Sequence, residues 1–157
     1  PALLLLPALP NAYQARVVWV TDGDTLTVLK KGWSLETIRL YGLDCPEKDQ
    51  PYGFKARVFA LSRTLFREVK VEPVERDRYG RLVARLSRGG RSVNKKIIQA
   101  GYAWVYDRYC RKDVCARYRQ LEEDARQASH GLWGGDDPIP PWRWRQGKRP
   151  DSGWRFW

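Results

Sequence analysis

Three short stretches of the chain set carboxylates and arginines beside glycine turns: Asp22-Gly23-Asp24-Thr25, Arg39-Leu40-Tyr41-Gly42-Leu43-Asp44-Cys45-Pro46-Glu47 and Asp77-Arg78-Tyr79-Gly80-Arg81. Carboxylate oxygens hold hard cations, and a bound cation makes water a better nucleophile. Arginine forks grip phosphate oxygens through paired hydrogen bonds, with most effect where charge grows in a transition state. Together these residue types are the equipment of a metal-assisted phosphodiesterase.

For that chemistry the three stretches must meet at one end of a sheet. Residues 16–20 and 25–29 are β-branched runs around the Asp-Gly-Asp turn, a hairpin pattern. Residues 35–41 supply a third strand after a turn centred on Gly32. Over residues 52–66, Phe54, Val58, Leu61 and Leu65 recur at helical spacing, which predicts a core-facing helix with Ala56 and Ala60 packing nearby. Residues 69–74 and 82–86 read as two more strands, joined by a turn over 77–80 that leaves Arg81 at the start of the fifth strand. Ser92 is placed to cap a short helix through Ile97 and Ile98, ending at Gly101. A longer helix is expected over 112–129, with Tyr118, Leu121, Ala125 and Ala128 on one side and Gly131 just past its end. The expected fold class is mainly β with helices (α+β), a five-stranded OB-like barrel with three α-helices.

At 157 residues the chain has the size of one domain. Its 29 Lys and Arg against 18 Asp and Glu give a net charge of +11, and eight Trp and eight Tyr accompany them. That balance suits a polyanion such as DNA or RNA, although many basic proteins are simply soluble. No basic amphipathic helix stands out, so no integral membrane association is expected; a monomer without a protein partner is the expectation.

The only histidine is His130, and the three cysteines divide into an isolated Cys45 and a close pair, so a structural zinc site, which usually needs four Cys or His ligands, is not expected. Cys110 and Cys115 either close a small disulfide loop in an oxidising compartment or remain two reduced thiols. Residues 1–15 carry an apolar run over Ala2 to Leu6, interrupted by Pro7 and Pro10, that looks like the remnant of a secretory signal or a flexible N-terminal segment. A secreted or periplasmic protein is the matching expectation. Residues 135–157 form a Pro/Trp/Arg-rich tail that cannot bury a core of its own. It either wraps over the barrel, with Leu132, Trp133 and Trp142 docking, or stays flexible; residues beyond about Lys148 are expected to be loose.

The Asp-Gly-Asp-Thr turn, the Arg-Leu-x-Gly-Leu-Asp-x-Pro-Glu strand end, the Asp-x-Tyr-Gly-Arg turn and the Gly-Leu-Trp after the last helix resemble, in order, the staphylococcal nuclease (thermonuclease) family. The likeness makes 16–134 a nuclease domain. It implies a calcium-dependent enzyme that hydrolyses DNA or RNA phosphodiesters with little sequence specificity and leaves 3′-phosphate ends. By the resemblance Asp24, Asp44 and the backbone carbonyl of Cys45 ligate Ca2+, with Asp22 a further ligand or merely a turn-capping residue. Glu47 is the matching general base, or else a residue that only orients water. Arg39 and Arg81 match the two phosphate-gripping arginines. Tyr79 lies beside the nucleotide phosphate, and Tyr106, with Tyr109 as its neighbour and rival, stands near a base-stacking position. Lys55, Arg57 and Arg78 are candidate backbone contacts. The chain departs from the family's type member in a shorter segment after Glu47, in Cys45 where that protein has threonine, and in the tail.

A non-catalytic OB-fold module that binds nucleic acid or protein is the rival reading, and relatives of that kind lack some catalytic positions. Here Asp24, Asp44, Glu47, Arg39 and Arg81 are all present. A Glu-x-Lys strand motif at Glu68-Val69-Lys70 would suggest another nuclease type, but it leaves the glycine turns and both arginines without a purpose.

Overall fold

The computed structural model describes residues 9–150. Its elements are β1 (Tyr13–Val20), β2 (Thr25–Lys30), β3 (Leu35–Leu40), β4 (Leu43–Asp44), α1 (Gly53–Thr64), β5 (Glu68–Arg76), β6 (Leu82–Arg88), β7 (Arg91–Ser92), α2 (Val93–Gln99), β8 (Trp104–Val105), α3 (Val114–Gln127), a 3-10 turn (Gly131–Gly134) and α4 (Pro141–Trp144). The five long strands run antiparallel in the order β3-β2-β1-β5-β6, and a parallel pairing of β3 with β6 closes them into a barrel. β4, β7 and β8 are two-residue additions.

β1 starts three residues earlier than the sequence pattern suggests, because Tyr13, Gln14 and Ala15 pair with Val71, Lys70 and Val69 of β5. Its alternation also breaks. A register shift against β2 between Val17 and Trp19 turns Val20 into the core beside Ala15 and Val17, and leaves Trp19 exposed. Residues 1–8 of the expected signal remnant, and residues 151–157 of the expected loose terminus, lie outside the described residues.

The face of α1 differs from the expected one. Its buried residues are Gly53, Ala56, Ala60 and Thr64, whereas Phe54 and Val58 point outward. Small side chains let the helix axis approach the barrel, and the buried Thr64 hydroxyl is satisfied by donating to the Ala60 carbonyl at 2.7 Å. Periodicity alone weights bulk, and here contact distance decided the face.

In α2 the Ser92 side chain caps as expected, accepting from the Lys95 amide. The buried Asn94 accepts from the Leu86 amide and donates to the Tyr41 carbonyl, which fastens the helix to β6 and to the end of β3. α3 buries Tyr118, Leu121 and Ala125, while Ala128 is exposed. The residue just past the α3 C-cap is Ser129, itself left-handed, rather than Gly131: the Ser129 amide bonds to Arg126 and the His130 amide to Ala125, satisfying the last carbonyls. Gly131 instead presses on Gly101, and a Cβ on it would stand 2.3 Å from the Gly101 carbonyl oxygen. α4 is a fourth helix beyond the three expected; Pro141 opens it, where a missing amide costs nothing.

Candidate active site

The turn between β1 and β2 and the chain leaving β3 are tied together by backbone bonds, the Leu40 amide donating to the Asp24 carbonyl at 2.8 Å. β4 then pairs with β8, Asp44 opposite Trp104. Gly23 lets the two segments touch, since a Cβ there would meet the Cys45 side chain at 2.7–2.8 Å. Two loops distant in sequence therefore present their acids to one point.

At that point Asp24 and Asp44 are both buried. Asp24 accepts from the Cys45 amide at 2.6 Å and from the Thr25 hydroxyl at 3.1 Å. Arg39 stands between the two acids, its Nε 3.3 Å from Asp24 and its Nη2 2.8 Å from Asp44, with Nη1 donating to the Leu40 and Leu43 carbonyls. Burial works against the Arg39 charge, but Asp24 and Asp44 outweigh it and hold the guanidinium above its ordinary pKa. For Asp44 burial wins over Arg39, and its carboxyl is raised. Buried carboxylates with raised pKa values are groups that gain from a further positive charge.

Asp22 takes the capping geometry, its Oδ1 accepting from the Asp24 and Thr25 amides. Burial and the adjacent Asp24 push its carboxyl up to about 7. The Cys45 thiol is free, buried and raised well above its usual range by that burial, so it is a neutral packing group.

Glu47 is held from behind. Gln50, itself buried, accepts from the Glu47 amide at 3.0 Å, and Gly53 packs so closely that a Cβ would fall 1.9 Å from the Glu47 carbonyl oxygen. The Glu47 carboxylate accepts from Arg145 at 2.5 Å.

Arg81 comes from the next strand. Arg81 immediately precedes β6, and the parallel register that pairs Arg39 with Val83 sets it one strand across from β3, level with Thr37. Its side chain is engaged by Asp77 at 2.6 Å, not by the acids of the mouth. Tyr79 is exposed beneath the Arg78 and Arg81 guanidinium groups. Arg57 donates to the Val20 carbonyl and covers Trp19, and Lys55 lies over Tyr52; both serve the packing of α1.

Tyr106 is brought to the rim by its amide, which donates to the Gly42 carbonyl. Cys110 and Cys115 are disulfide-bonded, and the loop they close is anchored by the Arg111 and Lys112 amides donating to the Tyr41 hydroxyl. Tyr109 meets Tyr106 edge-on.

Sequence reasoning passed over Arg145. Its Nη2 donates to Asp44 at 2.8 Å while Nη1 reaches Glu47, so one guanidinium spans both acids, which in turn raise its pKa. Trp142 does dock, stacked on Tyr106 with ring centres 4.9 Å apart and planes 5° apart. The more deeply buried tail aromatic is Trp144, which donates to Asp49. The Pro-Pro-Trp-Arg-Trp-Arg run marked a docking segment by composition, but nothing local named Asp44 and Glu47 as its targets.

Among the described residues no three His, Cys, Asp or Glu side chains close into a cation site by themselves. What the mouth offers is an all-oxygen pair, Asp24 and Asp44, bridged by Arg39 and adjacent to Glu47 through Arg145. Such a pair fits a hard cation that completes its shell with carbonyl and water oxygens. A separate cavity of about 530 Å3 between β5, β6, α2 and α3 is lined by Lys70, Arg85 and Tyr118 and contains none of these acids.

A closed OB-like barrel with buried acids and arginines gathered at one rim is an architecture suited to handling phosphodiesters. The chain belongs to the staphylococcal nuclease family: a family model described as staphylococcal nuclease homologue matches residues 37–135. It is similar to a protein described as an uncharacterized endonuclease from Escherichia coli O157:H7, 39% identical over 143 residues that cover 90% of this chain and 91% of the relative. A micrococcal nuclease of Shigella flexneri is 33% identical, covering 94% of this chain and 90% of its own. The staphylococcal-like nuclease CAN1 of Arabidopsis thaliana is 38% identical over 71% of this chain and 34% of its own.

Proposed function

We propose that the protein is a calcium-dependent nuclease of low sequence specificity that cleaves DNA or RNA to 3′-phosphate ends. The observation that carries this reading is the gathering of acids at one rim: buried Asp24 and Asp44 lie on either side of Arg39, and the Glu47 carboxylate is within one guanidinium's span of Asp44. Asp24 and Asp44, with the Cys45 carbonyl, would hold the ion. Bound calcium supplies charge neutralisation at the phosphate and acidifies a water.

The chain's own residues supply the rest. Glu47 accepts the proton of the attacking water, and its fixed backbone keeps the carboxylate at the rim. Arg81, held by a partly exposed partner, is free to exchange Asp77 for phosphate oxygens, and Arg39 supports it from the neighbouring strand. Tyr79 and Tyr106 offer flat faces that bind any base, which fits low specificity. A secreted or periplasmic location is part of the proposal, supported by the Cys110–Cys115 bond.

Digestion of single-stranded and duplex DNA in calcium, magnesium or chelator, followed by end-group analysis, tests it. Calcium-supported cutting with 3′-phosphate ends is expected. Cutting in chelator, or 5′-phosphate products, would contradict it.

A further inference from the structure

The tail makes contacts that the nuclease reading does not use. Residues 139–149 are seated as a unit: Ile139 and Pro141 are buried, the Ile139 carbonyl accepts from Gln50 at 2.5 Å, and Trp144 donates to Asp49. Arg149 packs on the Trp144 ring at 3.9 Å and donates to its carbonyl. From that seat Arg145 and Trp142 reach the mouth.

Each reaches a group that the proposed reaction needs. Arg145 neutralises Asp44 and Glu47 together, and oxygens saturated by its N–H donors are not available to an ion or to a water proton. Trp142 lies flat on Tyr106, the geometry in which a nucleobase would stack there. The Arg145 side chain is 43% exposed, so its ion pairs are exchangeable rather than permanent. Exposed residues Gly134, Asp136 and Asp137 lead into the segment.

We propose that residues 139–149 form an internal strap that occupies the catalytic mouth, Arg145 standing in for a divalent cation and Trp142 for a nucleobase, so that ion and substrate must displace it. The strap rests on the assignment of Asp44 and Glu47 made above. An ion that binds only the open form has its apparent affinity multiplied by the open fraction; a strap open about a tenth of the time weakens binding about 10-fold.

The test is calorimetric titration of the full-length chain with calcium, without nucleic acid, for wild type, Arg145→Gln and Asp44→Asn. Calcium is expected to bind Arg145→Gln about 10-fold more tightly than wild type and Asp44→Asn hardly at all. Equal or weaker binding by Arg145→Gln, with wild type still binding, overturns the strap and leaves the metal assignment standing. Absence of binding by wild type and Arg145→Gln alike overturns both. Should Arg145→Gln lose its fold by circular dichroism, Trp142→Ala serves: a short single-stranded oligonucleotide should bind it more tightly than wild type in chelator, and unchanged or weaker binding overturns the strap.

Discussion

Arg39 and Arg81 illustrate how two arginines of one site carry different loads. Arg39 compensates two buried acids, so its removal would leave uncompensated charge in the interior and unsettle the rim. Arg81 forms its ion pair with the partly exposed Asp77, a contact contributing roughly 0–1 kcal/mol to stability. Arg81→Ala is therefore expected to reduce kcat on the order of 100-fold or more while leaving the melting temperature nearly unchanged, as steady-state digestion and thermal unfolding would show. A matching fall in stability would mean that Arg81 is structural. Asp24, Arg39, Asp44 and Glu47 were legible because each sits within a few residues of a glycine turn or strand end. Arg145 was not, since its partners lie 98 and 101 residues away in sequence. Asp22 takes the turn-capping geometry through Oδ1, as one of its two readings has it.

Strand order and turns were readable from β-branched alternation, but the faces of elements depended on distances that alternation does not encode. α1 buries alanines because it lies against the Asp-Gly-Asp turn, the Ala56 Cβ being 3.0 Å from where a Gly23 Cβ would stand. Between strands, Glu36 of β3 accepts from Lys30 of β2 and from Arg76 at the end of β5. The Arg76 hydrogen bonds, foremost, hold the Glu36 carboxyl below its ordinary pKa. A depressed folded pKa gives stability that is present above the unfolded value and is lost as pH falls through the folded one. Glu36→Gln should therefore unfold at a lower temperature than wild type near neutral pH, by up to a few degrees for a cost under about 1 kcal/mol, with the gap closing as the pH falls below the ordinary carboxylate range. A gap that persists at low pH would assign the effect to packing. The Cys110–Cys115 bond closes a short loop, and Cys110→Ala with Cys115→Ala is expected to cost about 2 kcal/mol in urea unfolding. An unchanged midpoint would count against that role.

At the scale of the molecule, the barrel brings the β1–β2 turn and the chain leaving β3 to one rim, with Arg145 reaching it from 98 to 101 residues away, and the chain's net charge of +11 attracts a polyanion. Charge explains approach and strong salt dependence of binding; it does not explain cutting. In the proposed reaction cutting rests on the acids, and on Glu47 above all, because Asp24, Asp44 and the arginines would equally suit a barrel that only binds. Initial rates of DNA digestion in saturating calcium, compared among wild type, Glu47→Gln and Asp44→Asn, test this most directly. The account predicts cutting by wild type and losses on the order of 100-fold or more in both variants; variants that cut at the wild-type rate would contradict it.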